Sequence, residues 1–84
     1  MTFPVAVAQL KNRDTTEICL KAKNYTTVIW LGDDGFLRQV TVVGKSIMYS
    51  PKTNVLHLTP EDVCSGRWNN TKRHLTKKQR EEWQ

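Results

Sequence analysis

Eighty-four residues, 38% hydrophobic and 25% charged, are enough for one domain in the globular range. Such a chain buries about 60–65% of the surface its unfolded form exposes, so its core is modest. The net charge of +5 is uneven: residues 1–65 carry seven bases against six acids, and residues 66–84 carry six bases against two acids. A nearly neutral body, residues 1–65, therefore precedes a basic C-terminal arm, residues 66–84, within one domain overall.

In chain order, Met1-Thr2-Phe3-Pro4 lacks the basic and apolar regions of a secretory signal, and no apolar run reaches the roughly 18–20 residues of a membrane span. Pro4 to Leu10 alternates Val and Ala and reads as an edge strand. Glu17 to Ala22 places Ile18, Leu20 and Ala22 on one side and Glu17, Cys19 and Lys21 on the other, the pattern of a half-buried strand. Asp14-Thr15-Thr16-Glu17 is also a capping box, so a short helix competes with the strand there.

Thr26-Thr27-Val28-Ile29-Trp30-Leu31 is rich in β-branched and aromatic residues. Asp34-Gly35 then suits a tight hairpin into Phe36–Val43. With a two-residue turn, Thr27, Ile29, Leu31, Phe36, Val40 and Val42 share one face, with Arg38 at its rim. Ile29, Leu31, Phe36, Val40 and Val42 are then the expected core, and Trp30 on the other face lies under the arm or partly exposed. Gly44-Lys45 makes a second hairpin into Ser46–Ser50, Pro51–Asn54 a third turn, and Asn54–Leu58 a closing strand. Thr59-Pro60-Glu61-Asp62 has the N-cap, first-position proline and first-turn acids of a helix start, with Gly66 as its stop. Thr76 with Gln79 is a capping box for a last helix, docked through Leu75 and Trp83. The whole reads as mainly β: a small antiparallel barrel or rolled sheet, SH3-like in general architecture, with a short C-terminal helix.

Catalytic chemistry finds little support. No serine stands in a nucleophile elbow and no glycine-rich phosphate loop is present. Asp33 and Asp34 are adjacent turn residues whose side chains diverge. Glu61 and Asp62 are accounted for by the helix dipole. The expectation is therefore a non-enzymatic protein without a small-molecule cofactor. Cys19, His57, Cys64 and His74 are separated by 37, 6 and 9 residues, against the close paired spacings of zinc sites, and His74 lies among cations. Both cysteines are expected as small buried hydrophobes with free thiols in a reducing, cytoplasmic compartment. The sequons Asn24-Tyr25-Thr26 and Asn69-Asn70-Thr71 are then chance matches.

The arm is the constellation above background. Arg67, Trp68, Asn69, Asn70, Lys72, Arg73, His74, Lys77, Lys78 and Arg80 combine phosphate-binding cations, amides and one stacking plane. Lys77 and Lys78 precede Glu81 and Glu82 on the last helix, the reverse of what the macrodipole prefers, which points their charge at a partner. Trp68 has two readings: an anchor tying the arm to the body, or a base-stacking surface. Two partner classes fit. The first is nucleic acid, held by the arm through its phosphates. The second is an acidic surface of another protein, such as a groove that normally receives nucleic acid, which the chain would regulate or inhibit.

Overall fold

A computed structural model of the chain describes residues 1–49 and 56–82. The turn at Pro51–Asn54, Ser50, the start of the closing strand expected at Asn54–Leu58, and Trp83 lie outside these residues.

Residues 4–10 form a helix and not the expected edge strand: α1 runs Phe3–Lys11. Pro4 sits in the first turn, where its missing N–H costs nothing. Phe3, Ala6, Val7 and Leu10 recur at the spacing of one helix face and all pack into the core. The Val5/Val7 alternation is incidental, because Val5 is exposed to solvent. The helix ends in paired bonds from the Asp14 N–H to the Gln9 carbonyl (2.9 Å) and from the Arg13 N–H to the Leu10 carbonyl (3.2 Å). That closure requires Arg13 in the left-handed region, at φ 62°, a place usually held by glycine.

The strands are β1 (Ile18–Lys21), β2 (Thr26–Leu31), β3 (Leu37–Val43) and β4 (Ser46–Tyr49), antiparallel and in sequential order. The Glu17–Ala22 reading as a strand is borne out by β1. The competing capping box does not form: the Thr15 hydroxyl instead donates to the Glu17 carbonyl at 3.0 Å. The result is a mainly β architecture in which, among the described residues, the sheet is open, with β1 and β4 at its ends and no closure into a barrel. Leu56–Leu58 is not a strand. It lies against the helix-covered face, where the Gln39 carboxamide accepts the His57 N–H (2.8 Å) and donates to the His57 carbonyl (3.1 Å). One side chain thus supplies the pair of bonds that a neighbouring strand would have made.

The β2–β3 turn corrects the expected core. Gly32 pairs with Phe36, leaving Asp33-Asp34-Gly35 as a three-residue loop with Gly35 at φ 86°, in place of a two-residue turn. One extra loop residue flips every later side chain to the opposite face. Leu37 and Gln39 therefore join Ile29 and Leu31, while Val40 and Val42 join Val28 and Trp30. Phe36 is exposed, Val42 is half-buried, and Arg38 is buried across from Trp30 with its guanidinium on Asp34 at 2.6 Å. Gly32 fits closely in this corner: a Cβ there would stand 3.1 Å from the Phe36 carbonyl oxygen, so a larger residue would require the neighbouring backbone to give by a few tenths of an ångström. The Gly44-Lys45 hairpin forms as read, with Gly44 at φ 60°.

Two apolar layers result. On one face Ile18, Leu20 and Ile29 pack against Ala6 and Leu10 of α1 and against Trp68. On the other Cys19, Val28, Trp30 and Val40 are closed over by Leu75 of the arm. Helix α2 (Pro60–Cys64) starts as expected, and Thr59 and Asp62 complete a reciprocal capping box. It stops at Cys64 because Ser65 turns extended, without a left-handed Gly66. Helix α3 (Lys77–Glu82) opens on the Thr76–Gln79 capping box, with both bonds present. Among the described residues no helix is long and apolar enough to cross a membrane.

Candidate functional site

The arm is folded onto the body along most of its described length. The Trp68 N–H donates to the Met1 carbonyl at 3.0 Å, and Asn69 makes an antiparallel bridge to Cys19 with bonds of 2.8 and 2.9 Å. This bridge extends the β1 edge by one residue pair and fixes alternation in the arm, so Trp68 enters the helix-covered core. There its indole N–H donates to the Asp62 carbonyl (2.9 Å) and its ring lies 5.0 Å from that of Phe3. Trp68 is buried, which makes it the anchor and removes it from base stacking. Asn70 is likewise turned inward, its amide donating to the Gln9 side chain.

Glu17 holds the next stretch. Its carboxylate is wholly buried, accepts the His74 N–H and faces the Arg80 guanidinium at 3.3 Å. Arg80 also donates to the Leu75 carbonyl at 3.0 Å. A buried carboxylate is stable only when its lone pairs are met by donors, and the arm provides them. Arg80 is thereby a clasp on the body, contrary to its reading as a surface cation awaiting a ligand. Arg73 folds back on the Asn70 carbonyl at 2.6 Å. Lys77 and Lys78 are exposed on α3, with Lys77 3.9 Å from Glu81 in a pair too solvated to matter for stability.

Of the expected site residues, Arg67, Asn69, Lys72 and His74 come together. They line one side of a cleft of about 410 Å³ whose other side is the β1–β2 hairpin, with Lys21, Lys23, Asn24 and Tyr25. That hairpin has a two-residue tip, Lys23-Asn24, closed by the Ala22 N–H on the Tyr25 carbonyl at 2.8 Å. The Asn69 side chain fixes the opposite wall: its oxygen accepts the Thr71 N–H (2.8 Å) and the Lys72 N–H (3.2 Å). Among the described residues, four lysine and arginine side chains therefore border one concavity, and no carboxylate lines it. Low-dielectric walls of one sign concentrate the field within such a cleft. Lys21, Lys23 and Tyr25 escaped the sequence reading, although Lys-Ala-Lys-Asn-Tyr is itself a basic stretch ending in an aromatic ring.

Cys19 lies at the floor of this cleft. Burial, and next the Glu17 carboxylate, push its thiol above the ordinary value, outweighing the pull of Lys72 and Arg73. It stays a protonated, weakly nucleophilic thiol. Cys64, by contrast, is exposed and is not the buried hydrophobe expected. Among the described residues no three His, Cys, Asp or Glu side chains are grouped as metal ligands.

No protein family, curated protein or solved structure matches this chain. The fold and the cleft are consequently the grounds for a functional reading.

Proposed function

We propose that the protein is a non-enzymatic nucleic-acid-binding module of the cytoplasm that holds the phosphate backbone in the cleft between the β1–β2 hairpin and the arm. The observation that carries this reading is the set Lys21, Lys23, Arg67 and Lys72 around one cleft, without a carboxylate in its lining among the described residues. Lysine and arginine on a concave surface neutralise successive phosphates, and the counterions they displace drive binding. His74 adds a polar side chain to the same wall. Lys77, Lys78 and Arg80 fall outside this cleft, so the binding surface is narrower than the arm and includes part of the body.

The test is fluorescence anisotropy with labelled oligonucleotides across a salt series. Lys23→Ala, Arg67→Ala and Lys72→Ala are each expected to weaken binding on every sequence and to lower the log–log salt slope by about 0.7–0.9. Lys78→Ala is expected to change the slope least. Absence of binding at low salt, where the electrostatic attraction is strongest, would overturn the reading. Retention of poly-glutamate under the same conditions, dependent on the same cations, would replace nucleic acid with an acidic protein surface.

A further inference from the structure

Resting on the reading just given, we infer that the ligand is single-stranded and that one unpaired base stacks on Tyr25 at the rim of the basic cleft. The sequence offers three tryptophans as stacking planes, but Trp30 and Trp68 are each only 2% exposed and are closed to a ligand. Among the aromatic rings the structure describes, Tyr25 and Phe36 have open surface, at 43% and 55%. They sit at opposite ends of β2, about 20 Å of strand apart at some 3.3 Å per residue. Only Tyr25 lines the cleft that carries the cations. Its backbone belongs to the first closed pair of a two-residue hairpin, so the ring is presented from a short, hydrogen-bonded turn.

The surroundings of Tyr25 also orient the strand. Tyr25, Lys21, Ala22 and Arg67 form a wall shared with a second cleft, and that cleft is bordered by Glu61 and Asp62. Phosphates are attracted to the basic side and repelled from the acidic one, whereas an uncharged base is not excluded from either. The arrangement therefore runs the backbone past Lys23 and Lys72 and turns a base outward over the ring towards Glu61 and Asp62. A paired base cannot make this turn, because its faces are already stacked inside the duplex. Aromatic–base stacking tolerates any base, so the site selects strandedness and not sequence.

The experiment compares an oligonucleotide, the same strand with abasic sites throughout, and its duplex, each titrated against the native protein, Tyr25→Ala and Tyr25→Phe. Tyr25→Ala is expected to weaken single-strand binding roughly 5- to 150-fold, the stacking contribution of one base converted to affinity. The abasic strand should bind the native protein and Tyr25→Ala equally, and Tyr25→Phe should retain single-strand affinity. Unchanged melting temperature in Tyr25→Ala confirms that the loss is in binding. Equal affinity of Tyr25→Ala and native protein for the normal strand, or an equal loss on the abasic strand, would overturn the stacking inference and leave the backbone reading standing. Failure of all three ligands to bind the native protein at low salt would overturn both.

Discussion

The two faces of the sheet are closed by different physics. One is sealed mainly by apolar surface, with the Gln39–His57 hydrogen bonds at its edge: α1, Leu56, Leu58 and Trp68 pack on Ile18, Leu20 and Ile29. The other has Leu75 as its buried apolar cover among the described residues of the arm, and beside it a carboxylate, Glu17, whose burial depends on donors from residues 74 and 80. Apolar burial is non-directional and tolerates small shifts. The Glu17 clasp is directional, and losing one partner leaves the other desolvated without compensation. The arm is therefore attached at one end by an anchor belonging to the main core, and farther along by a polar clasp with separate sensitivities.

The largest expected effect tests the anchor. Trp68→Ala should cost about 3–5 kcal/mol, the range for emptying a buried aromatic site, and should lower the melting temperature of the whole domain. A loss confined to the arm, read by hydrogen exchange, would show that Trp68 does not belong to the main core.

Next comes the clasp. Glu17→Ala should cost roughly 2–4 kcal/mol, below the full value for a deeply buried pair because the Arg80 side chain retains some solvent contact. Its signature is spatial: faster exchange and proteolysis over residues 70–82, with α1 and its contacts preserved. Uniform loss of protection across both faces would remove the distinction between them.

A smaller effect of opposite sign belongs to the end of α1. Arg13 holds a left-handed conformation at φ 62° that glycine adopts without steric cost. Arg13→Gly is expected to stabilise by up to about 1 kcal/mol, measured by denaturant titration. Destabilisation would show that the Arg13 side chain makes contacts outweighing its backbone strain.

The smallest effect is at the β2–β3 turn. The Arg38 guanidinium, followed by the Phe36 N–H, holds the Asp34 carboxyl below its ordinary value. A lowered value means the folded state prefers the charged form. The contribution is therefore complete above the ordinary aspartate range near pH 4 and fades as the pH falls through the depressed value. The stability gap between the native protein and Asp34→Asn should be constant from about pH 6 to 7 and shrink below about pH 4. A gap that widens on acidification would contradict the ion pair.

Features readable in the sequence are those set by neighbours within about four residues of one another. The Thr59–Asp62 helix start, the Thr76–Gln79 capping box, β1 and the Gly44-Lys45 hairpin all belong to this class. At the Asp33–Gly35 turn the location was readable but the loop length was not. That single residue moved Val40 to the opposite face and put Phe36 in solvent. For α1 the alternation of Val5 and Val7 favoured a strand, and the helix won because Phe3, Ala6 and Leu10 together cover a sheet face that needed an apolar lid. The candidate site was half legible. Arg67, Asn69, Lys72 and His74 stood out by composition, whereas Lys21, Lys23 and Tyr25 joined them only across the Cys19–Asn69 bridge.

By itself, then, the sequence determined a β-rich body, the positions of its local caps and most of its turns, and an arm with surplus positive charge. Those properties follow from local sterics, short-range hydrogen bonding and charge count. Tertiary structure decided which cations are spent internally, as Arg80 is on Glu17, and which gather around open space, as Lys72 does with Lys21 and Lys23. The physical reason is that charge is counted along the chain, whereas its pairing and desolvation are settled by contacts between residues more than forty positions apart.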